Sequence, residues 1–449
     1  MAVSDSGGFR PLQGLTQTLK YPGWRMVLVG FIVLFFGFGG PTSTMPLLYG
    51  QVIQEFGWSR TAATLIYTYK DITSAVMALF IVGPMIDRFG LRPVIMFSLL
   101  ATGIGMAAFF VIDSLWTYYL SGFIKGLGQA TILICCKLLV SRWFMRNVGL
   151  AVGLAIVGTS VGGVIFPIIC QYLIDMYGWR IAFGSMSLGV FAVAIPVYLL
   201  MAKDNPTEAE LLPEATISSS GVINSPEQLK AADLGDSYWS IVKTPMFWCI
   251  MIGVVLISAV DQGLFQHTML YLTNEANLSS QVAAAAVSVT FALGIVSKFG
   301  AGKFFDWLSI KGIAIWYLAV AVVVVLAFPV QGLITALLFT SARGAVHGGL
   351  ISESPVIAKH CYGPRLMNRI LPVLTGCFAI GSAFGPVTLG LIYDHFGSYT
   401  VGFILFIALA LIAAALLSQV KPLYRNRLKA AGAQPAAGAS TRGDPQIAD

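Results

Sequence analysis

Charge is what this sequence has least of. Only 10% of its 449 residues are Asp, Glu, Lys or Arg, against roughly a quarter in soluble domains, and mean hydropathy reaches +0.81. A chain so poor in charge cannot clothe itself in a hydrated surface, which excludes a soluble globular protein. Histidine is scarce at four residues and cysteine at six. Cys135, Cys136, Cys170, Cys249, Cys361 and Cys377 lie in or beside apolar runs without zinc-type spacing, so they read as packing residues. No nucleotide-binding loop, metal-ligand cluster or nucleophile–base pair is recognisable, so neither enzymatic catalysis nor a cofactor is expected. Basic stretches interleaved with aromatics are missing too, which removes nucleic acid as a partner. Residues 1–20 are polar and hold no signal-peptide core, so no cleaved leader is expected.

What the chain has instead is long apolar runs. Segments of about 20 residues, each able to cross a hydrocarbon core of ~30 Å, occur at 25–48, 61–83, 93–112, 115–140, 149–170, 181–201, 246–270, 281–301, 312–330, 332–356, 370–391 and 399–418. The expectation is an all-α membrane protein with twelve transmembrane helices. With the N-terminus placed inside, the cytoplasmic segments hold twenty Lys and Arg and the outer loops only Arg60 and Arg180, a bias that puts both termini in the cytoplasm. The net charge of +7 then describes topology and contact with anionic lipid headgroups. The expected setting is a plasma membrane, the inner membrane of a bacterium.

The polar stretch 202–245, with Asp204, Glu208, Glu210 and Glu214, cannot cross a bilayer and reads as a cytoplasmic linker. It divides the chain into an N-terminal segment (1–24), a first six-helix bundle (25–201), a second (246–418) and an Ala/Gly/Pro-rich tail (419–449) expected to be disordered. Ser225-Pro226-Glu227 has the form of a capped start to a short surface helix. In the first span Gly37, Gly39, Gly40, Pro41 and Pro46 form a density of helix breakers that only a bundle-packed or cavity-lining helix tolerates. The hydroxyls of Thr42, Ser43 and Thr44 there can either touch a ligand or bond back to their own helix.

The second span leaves the membrane through Gly83-Pro84-Met85-Ile86-Asp87-Arg88-Phe89-Gly90-Leu91-Arg92. This resembles the Gly-x-x-x-Asp-Arg-x-Gly-Arg loop of the major facilitator superfamily, with Leu91 inserted before the terminal arginine. The resemblance implies a major facilitator fold of two pseudo-symmetric six-helix bundles and a gating role for Asp87 and Arg88. Further on, Arg142-Trp143-Phe144 leads into a span carrying Gly149, Gly153, Gly158, Gly162 and Gly163, followed by Tyr177-Gly178-Trp179-Arg180. That pattern is similar to the monocarboxylate porter and oxalate:formate antiporter branch. Those relatives keep an arginine in the eighth helix, where this chain has Lys298, and a lysine in the eleventh or first helix, which this chain lacks.

The two halves repeat. Gly83 and Asp87 recur 219 residues later as Gly302 and Asp306, and Gly162, Pro167, Asp175 and Gly178 recur at the same offset as Gly381, Pro386, Asp394 and Gly397. One residue short of that offset, Lys125 falls on Arg343 and Gln129 on His347. A cation at the centre of a membrane helix costs ~2.5–3.5 kcal/mol on insertion scales, so two at matching places need a reason. The fold implied by the resemblance lines its central cavity with the fourth and tenth helices. Lys125 with Gln129 would then face Arg343 with His347 as a clamp for an anion.

Within the spans Lys70, Lys125, Lys137, Lys298 and Arg343 stand against Asp71, Asp261 and Glu353, a balance of +2. A positive interior favours an anionic substrate and disfavours a cationic drug. Lys298 is a further candidate for the anion. Asp261, mid-span beside Gln262 and Gln266, is either a proton-coupling acid or the partner of a permanent ion pair with Lys298 or Arg343. Asp71 is the second coupling candidate; it and Lys70 diverge by about 100° on a helix, so at most one points straight into a cavity. Lys137, Glu353 and Asp306 read as gating residues. The expected protein is a monomeric secondary transporter of a small organic anion, a mono- or dicarboxylate, driven by H⁺ symport through alternating access. Anion exchange, efflux of amphipathic compounds and a non-transporting receptor are the alternatives.

Overall fold

Away from water an apolar segment must satisfy its own backbone hydrogen bonds, and the helix does so locally. The computed structural model, which describes residues 22–144, 148–205, 237–328 and 330–430, is accordingly helical, with no strand among the described residues. Helix α1 runs Gly23–Ser43 and resumes after Thr44 as Met45–Phe56. It is followed by α2 (Arg60–Phe89), α3 (Leu91–Val111), α4 (Leu115–Ser141), α5 (Val148–Tyr177) and α6 (Trp179–Met201). The second series is α7 (Pro245–Asn274), α8 (Ser280–Leu308), α9 (Ile310–Val325), α10 (Leu333–Tyr362), α11 (Pro364–Phe396) and α12 (Thr400–Ser418).

Eleven of these helices are long and apolar enough to cross a membrane. The exception is α9, whose 16 residues reach about 24 Å at 1.5 Å per residue. Large apolar side chains such as Phe80, Val111, Leu200 and Ile334 project from the perimeter, as they do where acyl chains replace water. The N-terminal segment before residue 22, most of the linker including Ser225-Pro226-Glu227, and residues 431–449 lie outside the described residues. Leu423–Ala430, which composition assigns to a disordered tail, is helical.

The breakers of α1 are absorbed by local geometry. Phe35–Gly39 winds as a π-helix, and Pro41 and Pro46 sit at the first turns of the two restarts, where a missing N–H costs nothing. Ser43 and Thr44 donate to the Gly40 carbonyl at 3.3 and 2.9 Å, so of the two readings of these hydroxyls the backbone one holds for them.

The halves meet along three helix pairs. α2 lies against α11, α5 against α8, and the second segment of α1 against α7. Under the repeat, α2 corresponds to α8, α5 to α11 and α1 to α7, so these contacts map onto one another. At the end of the bundle far from the chain termini this seam is bonded shut. The Asp394 carboxylate at the end of α11 accepts from Arg60 N (3.0 Å), Thr61 N (2.9 Å) and Thr61 Oγ1 (2.5 Å), capping the start of α2. Its repeat mate Asp175, at the end of α5, accepts from Gln281 Nε2 at the start of α8 (2.9 Å).

Candidate functional site

Two glycines set the depth of the site. Gly126 of α4 packs on the Lys70 carbonyl and Thr73 of α2, and Gly344 of α10 packs on Thr290 of α8, so a Cβ at either would collide with its neighbour. Each follows the cation of its helix, so Lys125 and Arg343 are both carried to the interior of the bundle, at 0% and 1% exposure.

There the two cations part ways. Arg343 Nη2 donates to Asp261 Oδ1 (3.0 Å) and to the Asp261 carbonyl (3.1 Å), and its guanidinium lies 4.7 Å from the Phe265 ring centroid. Asp261 Oδ2 takes His347 Nδ1 and Gln262 Nε2, both at 2.9 Å. Of the two roles open to Asp261, the structure shows the ion pair, with Arg343 as partner. Lys125 instead directs Nζ to Met45 Sδ (3.1 Å), with the Phe109 ring 5.5 Å away. Among the described residues no carboxylate lies within ion-pair distance of it. The charged groups acting on it through space are Lys70 and Asp71. Gln129, one turn on, donates to Thr42 Oγ1 (3.3 Å) and leaves Oε1 without a partner. The face-to-face clamp drawn from the repeat is therefore not closed in this conformation: Arg343 is held by α7, and Lys125 by α1 and α3.

A polar chain joins the two sides. Lys70 Nζ pairs with Asp71 Oδ1 at 2.5 Å, so these adjacent residues bend toward each other where their backbone directions diverge. Asp71 also accepts a short hydrogen bond from Ser382 of α11. Lys70 lies 3.9 Å over the Tyr67 ring, and Tyr67 Oη donates to Gln262 Oε1 (2.9 Å), which reaches Asp261. Tyr49 Oη donates to Gln266 Oε1 (2.7 Å) alongside. The polar belt thus spans α1, α2, α7, α10 and α11, and its members are buried, His347 being half-buried.

The other candidates lie apart from this belt. Lys298 donates to Ser160 Oγ (2.7 Å), linking α8 to α5. Lys137 is exposed on α4. Glu353 is fully buried and accepts from Tyr317 Oη of α9 (2.9 Å), an internal contact rather than one across the halves. Asp87 and Arg88 are exposed and make no hydrogen bond or ion pair to the second half among the described residues, and the Asp306 side chain is not among those described. The motif's last residue, Arg92, ties α3 to α6 through its N–H to Asp204 (3.0 Å) and its guanidinium to the Leu199 carbonyl (3.1 Å).

The repeat marks Asp394 by position without giving its partners, and the structure adds the buried His267 nearby. His267 Nε2 lies 2.9 Å from the Pro386 carbonyl, which can only accept, so Nε2 carries the proton and Nδ1 accepts from Tyr399 Oη at 2.9 Å. Tyr399 in turn accepts a short bond from Arg60, whose guanidinium lies 3.3 Å over the Tyr393 ring. Outside the spans, Glu55 accepts from Trp179 Nε1 and Arg180 Nη1, each at 2.6 Å. The Trp179 hydrogen bond and then the Arg180 charge hold its carboxyl below the usual range.

Comparison with known proteins follows the same lines. The family model described as Major Facilitator Superfamily matches residues 27–351. The chain is 29% identical over 196 residues to monocarboxylate transporter 9 of Gallus gallus, a match covering 41% of this chain and only 37% of that protein. So the matched stretch spans well under half the length of that relative. With monocarboxylate transporter 13 of Bos taurus it shares 24% identity over 395 residues, 85% of each chain. Among solved structures, a bacterial homolog to the human lysosomal transporter Spinster in an inward-facing, unoccupied conformation superposes with a TM-score of 0.66 at 15% identity, covering 91% of this chain and 98% of that one.

Proposed function

Because this chain belongs to the Major Facilitator Superfamily, an integral multi-pass family of transporters rather than enzymes, we propose that it carries a small organic anion, a mono- or dicarboxylate, across its membrane by alternating access with H⁺. The observation that carries the anion is Lys125: a fully buried cation bonded to a thioether, with no acid within ion-pair distance among the described residues. A buried unpaired charge is costly, and a substrate carboxylate entering the belt would supply the missing partner. Its similarity to monocarboxylate transporters supports the same class.

Asp261 supplies the proton link. While Arg343 faces it, the carboxylate stays ionised; a substrate that draws Arg343 away leaves a buried acid that must take up H⁺. Asp71, held by Lys70 and Ser382, responds in the same way on the opposite side. Lys298 and Gln129 extend the anion path, His347 steadies Asp261, and Asp87, Arg88, Asp306, Lys137 and Glu353 serve the gates. The molecule is read as a monomer of twelve spans, with halves 25–201 and 246–418 joined by the linker 202–245. Segment 1–24 and tail 419–449 are placed on the cytoplasmic side of a bacterial inner membrane. The concentration of Lys and Arg on that side supports this orientation.

Reconstituted vesicles test the reading. Uptake of labelled monocarboxylates should rise with an imposed inward pH gradient and vanish in Arg343→Gln. Uptake that needs internal anion and ignores the gradient would make the protein an exchanger, and no carboxylate flux at all would defeat the proposal.

A further inference from the structure

The belt leaves one buried acid unused. Glu353 lies on α10, ten residues beyond Arg343, at 0% exposure. Its Oε1 accepts from Tyr317 Oη at 2.9 Å, and its Oε2 has no hydrogen-bond partner. From α9 the Tyr317 phenol faces it, and from α7 Asp261 acts on it through space. Helices α8 and α11 contribute no hydrogen bond or ion pair to it among the described residues. Among the described residues no cation forms an ion pair with it.

The contrast with Asp261 decides the charge states. Asp261 is ringed by Arg343, His347 and Gln262, so an ionised carboxylate is stabilised there. Glu353 has one neutral donor and a negative neighbour. Leaving an anion so poorly matched in a low-dielectric interior costs far more than leaving a neutral hydroxyl unpaired.

The surroundings give that proton a mechanical consequence. Two residues on, Pro355 sits inside α10, and Ala358–Tyr362 continues it as a π-helix. Such features are where helices kink. An acid anchored to α9 immediately before these two features ties the end of α10 to its neighbour while neutral. Once charged, it favours a geometry that reaches water.

We propose that Glu353 is a proton-binding site separate from the anion belt, occupied in this conformation while Asp261 stays ionised, and that release of its proton to water loosens the end of α10. The coupling role rests on the proton-driven reading above; occupancy of the site does not.

Infrared spectroscopy of the full protein in lipid vesicles at neutral pH tests occupancy directly. A protonated-carboxyl carbonyl band is expected that disappears in Glu353→Gln and persists in Asp261→Asn. A band that survives Glu353→Gln, or no such band in the unmodified protein, overturns the proposal. Should Glu353→Gln fail to assemble, Tyr317→Phe carries the test: losing the phenol bond must shift the band, and an unshifted band counts against Glu353. In flux measurements with labelled pyruvate and oxalate, Glu353→Gln should lose at least tenfold of pH-driven accumulation yet keep anion counterflow. Unchanged accumulation overturns the coupling role. If the unmodified protein moves neither anion while the band behaves as stated, the transport reading falls and the proton site stands.

Discussion

Replacing Asp394 by alanine should unlock the far end of the seam. Its carboxylate takes up the Arg60 and Thr61 N–H groups and the Thr61 hydroxyl. The Ala62 N–H is already satisfied by Ser59 Oγ at 3.1 Å. Two of the orphan donors at the start of α2 are thus capped from the other half of the molecule, by a charged group sited where the helix dipole favours it. The contacts at Thr61 are exposed, so water replaces part of what is lost, and a cap of this kind is worth about 1–2 kcal/mol. That difference corresponds to a population shift of roughly 5–30-fold away from the sealed state. Spin labels at Asp113 and Gln331, exposed positions in the α3–α4 and α9–α10 loops, report the opening by pulsed electron resonance. Asp394→Ala should enlarge the long-distance population, and Asp175→Ala, which loses one hydrogen bond from Gln281 across the seam, should do so less. An unchanged distribution in Asp394→Ala, or a larger effect from Asp175→Ala, would refute the reasoning.

Three other outcomes follow from the same geometry. Lys125→Gln removes an unpaired buried charge, so it should raise the thermal unfolding temperature in detergent while abolishing carboxylate binding; a lower unfolding temperature would mean that Lys125 is compensated after all. Arg343→Gln strands Asp261 and should destabilise the protein by ~3–5 kcal/mol, whereas the double variant Arg343→Gln with Asp261→Asn should regain most of that loss without regaining transport. Because Glu55 has a lowered pKa in the folded protein, its contribution is present above the unfolded carboxyl pKa and fades as pH falls through the folded one. Unfolding temperatures of Glu55→Gln and the parent should therefore differ near neutral pH and converge in acid, the gap being small because the Glu55 carboxylate is exposed.

Helices and their repeat are legible in sequence because both are local matters. An apolar run of span length has one way to satisfy its backbone in a bilayer, and α1–α12 fall where such runs occur, α9 alone coming out short. The offset of 219 residues pairs Asp175 with Asp394, and the same correspondence orders the contacts α2–α11, α5–α8 and α1–α7. Charge scarcity likewise singles out Lys125, Asp261 and Arg343 as residues that must be explained.

Partnership is another matter, since side chains far apart in the chain choose among neighbours only when helices are docked. Spacing places Lys125 and Arg343 at equivalent positions and makes a symmetric clamp reasonable. Docking breaks that symmetry: α7 offers Arg343 a carboxylate at residue 261, while α1 offers Lys125 only the sulfur of Met45. The same holds for Glu353, to which docking brings the Tyr317 phenol of α9 and, among the described residues, no ion-pair partner. Sequence by itself determined a helical, repeated membrane protein with surplus positive charge inside. Tertiary structure alone decided which of those charges are answered and which are left for a ligand, because compensation depends on distances between helices that local pattern does not encode.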